Sequence, residues 1–180
     1  WSRDKLSRAV AALQSIDTQT PALYCGRTRT VDEDGQAVGL SPAFLKTPSF
    51  ANALVHNIAG GNTMVMNAAA RELLRAAGTV EVPAHDWWTY LLVSGAGGRV
   101  VYDAQPVLDY RQHRENQVGA NRGVVAVCTR YLKALAGQNR QWNALNIAAL
   151  EHNRELLSAQ PASSPGHPET GRPLCTEPQG

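Results

Sequence analysis

The chain lacks any run of roughly 18 or more apolar residues, so it offers no candidate for a membrane-spanning helix. It also lacks a strong charge of either sign. A net charge of +2, with no basic patch or stripe, argues against nucleic acid as a partner. Cysteine is scarce and odd in number. Cys25, Cys128 and Cys175 stand far apart, fit neither a disulfide framework nor a zinc knuckle, and read as reduced cytosolic thiols. No internal repeat is visible. The first residue is Trp1 rather than Met, no basic-then-apolar leader opens the chain, and a helical pattern begins almost at once. A natural protein seldom starts on an exposed tryptophan, so the expectation is a fragment whose preceding half is missing.

What is present suits one domain with an appendage. A length of 180 residues with 43% apolar content can bury a sizeable core. Ser2 is placed to cap a helix in which Leu6, Val10 and Leu13 share a face at spacings of four and three. Pro21 ends that region. A strand is predicted over residues 22–31, with Asp34-Gly35 as a hairpin turn. Residues 50–58 read as helix and lead to Gly60-Gly61, and a short strand follows from Thr63 to Met66. Asn67 stands where an N-cap belongs, ahead of a helix over Ala68 to Ala77 that Gly78 stops. A further helix is predicted from Asp86 through Leu92, closed by Gly97-Gly98, and then a hairpin of two strands over 99–103 and 106–111. Residues 122–157 are helical in pattern with a break near Gly137. Beyond Ser158 the prolines, glycines and serines cannot bury enough apolar area to offset ordering entropy, and 158–180 is expected to be a disordered tail.

Two short segments concentrate the chemistry. His85-Asp86-Trp87-Trp88 sets an acid beside two tryptophans, and Tyr110-Arg111-Gln112-His113-Arg114-Glu115-Asn116 gathers arginine, histidine and asparagine. Carboxylate, imidazole and guanidinium groups together can transfer protons, ligate metal and pair with phosphate. Such polar function among aromatics suggests a site that handles a sugar and its phosphate leaving group.

These residues resemble the C-terminal half of a family-two glycosyltransferase of the GT-A fold, closest to bacterial rhamnosyltransferases, over about residues 1–157. Trp1 to Leu6 resembles the segment after the family's Asp-rich metal motif. Asn57-Ile58-Ala59-Gly60-Gly61-Asn62-Thr63 resembles its glycine loop before a short central strand. His85-Asp86-Trp87-Trp88 resembles the segment holding the catalytic base, with His85 where many members have Glu. Tyr110-Arg111-Gln112-His113, with Asn116 and Gly119, resembles the closing donor-phosphate motif. The order and spacing of the four make the signal. The expected fold is therefore α/β, an incomplete GT-A type with a mixed sheet flanked by helices. Its acceptor-side catalytic half spans 1–121 and its C-terminal helical segment 122–157.

The resemblance implies inverting transfer of a sugar, with rhamnose from dTDP-rhamnose as the donor it points to, onto a cell-surface polysaccharide or lipid-linked acceptor. Asp86 is then the catalytic base that takes the acceptor hydroxyl's proton. Gly60, Gly61, Arg111 and Arg114 are then donor and phosphate contacts. Trp87 and Trp88 are acceptor-side candidates, one expected to face the cleft and the other the core. His113 is the metal ligand, joined around Mn²⁺ or Mg²⁺ by carboxylates expected upstream of Trp1. Each residue also has a plain structural reading: a helix cap for Asp86, a turn for the glycines and Asn116, and solvated side chains for His113 and the arginines. His56 and Asn57 read as structural. The apolar stripe from Tyr131 to Leu156 reads as core packing, with a membrane- or partner-facing surface as its functional alternative. The expected location is cytoplasmic, at the inner face of the plasma membrane. The competing reading of the whole is a degenerate or partial chain that acts only as a binding module.

Overall fold

The computed structural model of the chain describes residues 1–111 and 138–157. One long strand, β1 (Ala22–Val31), organises the sheet. Its first five residues are all buried, as expected of a strand covered on both faces. The last strand, β4 (Arg99–Arg111), runs parallel to it from Ala22↔Arg99 to Val31↔Arg111 and fills one edge over its whole length. Two short antiparallel strands share the other edge. β2 (Ala37–Leu40) pairs with its end, at Arg29↔Leu40, and β3 (Val65–Met66) with its start, at Leu23↔Met66. The result is a mixed four-stranded sheet.

Helices cover both faces. On one, α1 (Lys5–Gln14) sets Ala9, Ala12 and Leu13 against Tyr24 and Val107. On the other, α2 (Phe50–Ala53), α3 (Ala68–Ala77), α4 (His85–Gly95) and α5 (Gln138–His152) build the larger core around Leu23, Cys25, Leu91 and Leu150. The alternation of Leu23 and Cys25 with Tyr24 between the two cores is the period-two rule of a strand. The chain is thus α/β, a mixed open sheet flanked by helices.

Several elements form as their residues dictate. Asp32 Oδ1 accepts the N–H groups of Asp34 at 3.1 Å and Gln36 at 2.7 Å, and Gly35 takes φ 81°, which closes the β1–β2 hairpin. Asn67 caps α3 through Ala70 N–H at 2.9 Å, while its amide also holds Ala22 N–H and the Thr20 carbonyl. One side chain therefore fixes the starts of α3 and β1 together. Gly78 at φ 66° ends α3.

Other elements differ from the sequence expectation. Of the face predicted for α1 only Leu13 packs inward: Leu6 is 53% and Val10 46% exposed, while Lys5 is fully buried. The Ser2 side chain makes no cap bond to α1; its backbone N–H and hydroxyl both bind the Val107 carbonyl, its own carbonyl accepts Lys5 N–H at 3.2 Å, and Asp4 holds the cap position. The helix predicted over 50–58 is a single turn, α2. The strand predicted from Thr63 begins only at Val65, because Gly61–Thr63 forms a 3₁₀ turn. The predicted hairpin over 99–103 and 106–111 is one strand. Gly26 pairs with Asp103 and Arg27 with Pro106, so Ala104 and Gln105 bulge out of the ladder, a form that tolerates a proline without N–H. The predicted elements between 112 and 137 and the tail from 158 lie outside the described residues.

Candidate active site

Asp86 lies in the first turn of α4, where a negative charge suits the helix dipole. The cap position itself belongs to Ala84, which supplies no side-chain bond. Asp86 takes over part of that work, since its Oδ1 accepts Trp87 N–H at 2.7 Å. The same oxygen accepts Asn57 Nδ2 at 3.1 Å, and Oδ2 accepts Gly61 N–H at 3.0 Å. A carboxylate has about four lone-pair positions. Among the described residues three are filled, two on Oδ1 and one on Oδ2. The side chain as a whole is half-buried.

Each donor is itself held. Asn57 Oδ1 accepts Ala59 N–H at 3.0 Å, so the amide bridges the loop backbone and the acid. The next turn is closed by Thr63, whose N–H and hydroxyl both reach the Gly60 carbonyl, at 2.8 and 2.7 Å. Thr63 is fully buried. At Gly61 a Cβ atom would stand 2.7 Å from His85 Nε2 and 3.4 Å from Asp86 Cβ. The second distance is ordinary contact, so a side chain at this position would chiefly have to turn the exposed His85 ring aside. From below, the buried Lys5 donates from Nζ to the Asn62 carbonyl at 2.9 Å, with the Trp1 ring 3.8 Å from the ammonium. Burial lowers the pKa of that ammonium from its ordinary value.

The structure therefore brings Asp86, Gly60, Gly61 and Trp87 together. Trp88 is only 5% exposed and packs in the core, so it offers no face to a ligand. Trp87 is half-buried, its indole N–H on the Ala53 carbonyl at 2.7 Å, and it packs against the same core, so of the two it is the more exposed. Arg111 is exposed at the end of β4, in register with Val31. Arg114, His113 and Asn116 lie outside the described residues. Among the described residues no three His, Cys, Asp or Glu side chains form a group that could hold a metal ion. The Asp32 carboxylate, at the head of an Asp-Glu-Asp string, is engaged through Oδ1 in the β1–β2 turn.

Two residues escaped the sequence reading. Asn57 was legible only as a structural asparagine, since nothing local says that its amide reaches 29 positions ahead. Lys5 had one signal, its place four residues before Ala9 on a face that packs inward. No protein-family model, no curated protein and no solved structure matches the chain.

Proposed function

We propose that the chain is the acceptor-side part of an inverting, metal-dependent glycosyltransferase of GT-A type. It moves a sugar, with rhamnose from dTDP-rhamnose the first donor to test, onto a cell-surface polysaccharide or lipid-linked acceptor. The observation that carries this reading is the Asp86 carboxylate, held by Asn57, Gly61 and Trp87. In the proposed step the acceptor hydroxyl donates its proton to Oδ2 as its oxygen bonds to the anomeric carbon. The nucleoside diphosphate departs from the opposite face with the bonding electron pair. A hydroxyl is too weak a nucleophile without such a base. The three fixed donors keep the acid from rotating away, so its orientation is set before substrate arrives. A metal bound with His113 and upstream carboxylates would supply charge neutralisation on the leaving diphosphate.

The test is sugar transfer by the full-length product of the gene, with dTDP-rhamnose and competing nucleotide sugars. Asp86→Asn keeps the shape but cannot accept a proton, and its single oxygen can serve either the Gly61 N–H or the Asn57 and Trp87 donors. Turnover is expected to fall by at least roughly 10²–10⁴-fold, with donor binding nearly unchanged. Saccharide binding without transfer would favour the binding module. Near-normal turnover of the variant would reduce Asp86 to a helix-start residue.

A further inference from the structure

Lys5 is fully buried, yet among the described residues its ammonium meets a carbonyl and an indole face and no carboxylate. A buried charge without an ionic partner is costly, and an apolar side chain of equal length would pack there at less cost. The position nevertheless carries a cation. Its one hydrogen bond lands on Asn62, the residue next to Gly61, whose N–H holds Asp86 Oδ2.

We propose that Lys5 is a positioning residue for Asp86, acting through the Gly60–Thr63 turn. The proposal rests on the reading of Asp86 as the base. The turn has three anchors. Thr63 closes it from within, Asp86 takes its Gly61 N–H, and Lys5 pulls its Asn62 carbonyl toward α1. Drawing that carbonyl inward rotates the 61–62 region as a unit, which fixes where the Gly61 N–H points. Glycine at 60 and 61 leaves those two positions without side-chain packing, so the bonds from Lys5 and to Asp86 add to the internal hold of Thr63 in setting their conformation. A charged donor is the stronger choice for this, because a charge-assisted bond in a low-dielectric site exceeds a neutral one. The indole of Trp1, 74% exposed, covers the ammonium and excludes water from the bond.

Amide hydrogen exchange on the polypeptide itself tests the coupling without any transferase assay. In Lys5→Met, exchange at Gly61 is expected to rise by about tenfold or more, while amides of β1 and the later turns of α4 keep their rates. Lys5→Arg retains a charged donor and is expected to restore most of the protection. A uniform rise across β1 and α4 would mean that Lys5 only supports the fold, and unchanged Gly61 exchange would also overturn the proposal. Should Lys5→Met fail to fold, the reverse measurement decides, since coupling is reciprocal. Asp86→Ala is expected to shift the Lys5 side-chain ammonium signal in NMR and speed its exchange, and an unmoved signal would refute the link. These outcomes are independent of turnover in Asp86→Asn, so loss of the enzymatic reading and loss of this one remain distinguishable.

Discussion

Asp86 and Asn57 form the smallest unit on which the site depends. Asn57 gives its amide N–H to the acid and takes Ala59 N–H on its oxygen, and Ala59 is fully buried. Asn57→Ala would remove a donor from Asp86 and orphan a buried backbone N–H. The expected loss of stability is about 1–3 kcal/mol by urea denaturation. Asn57→Asp separates the two roles. It keeps the acceptor for Ala59 but sets a second carboxylate where the amide stood, 3.1 Å from Asp86 Oδ1. Its deficit should therefore be larger at neutral pH than in mild acid, where a shared proton relieves the repulsion. A deficit that does not change with pH would show that the two side chains are not in contact in solution.

At the scale of elements, α1 is tied to the sheet by charge as much as by apolar contact. Asp103 on β4 accepts from Arg8 of α1 and from Tyr24 Oη of β1 at 2.6 Å, and Arg8 also binds Asp4. Burial alone would raise the Asp103 carboxyl, but the Tyr24 hydroxyl and the Arg8 guanidinium hold it below its usual range. A carboxyl lowered in the folded state stabilises the protein above its unfolded value, near pH 3.9. That contribution is lost as pH falls through the lower folded value. Asp103→Asn should cost roughly 2–4 kcal/mol at neutral pH and flatten the acid limb of the stability curve. In that variant the amides of α1 should exchange faster than in the parent while those of α3 keep their rates; unchanged α1 rates would mean that the clamp does not hold the helix. None of this was legible locally, because the clamp joins residues 95 positions apart. The hydrophobic pattern of α1 even pointed the wrong way, since Leu6 and Val10 promise an inward face that Lys5 and Ala9 occupy. Signals that act within a few residues were readable: Asn67 and Gly78 bounded α3, and Asp34-Gly35 marked its hairpin. The chain from 99 to 111 was misread because Pro106 looks like a break, whereas a bulge absorbs it in a parallel ladder. Of the site, Asp86 and the glycines were legible through their neighbours in sequence, and the residues that orient them were not.

Over the whole molecule, a sheet covered on both faces buries groups that ionise in alkali. Cys25 is fully buried, and burial pushes its thiol up to about 12. Burial also raises the phenols of Tyr24, Tyr90 and Tyr102, with Asp103 adding to the shift at Tyr24. These groups are neutral when protonated, so the sign follows directly. In the unfolded chain the thiol ionises near pH 8.5 and the phenols near 10, while in the folded chain they still hold their protons. Stability from these groups is complete below the unfolded values. It then falls as pH rises, for Cys25 from about 8.5 until the folded value near 12. Urea midpoints are therefore expected to hold steady from about pH 6 to 8 and to decline above about 9, with the slope m unchanged. Cys25→Ala isolates the thiol. It should lower stability at neutral pH through the cavity it leaves, yet decline less steeply between about pH 9 and 10, before the phenols contribute. A parallel decline in the two proteins would show that Cys25 ionises as freely in the folded chain as in the unfolded one, and so that the two-faced burial of β1 does not persist in solution.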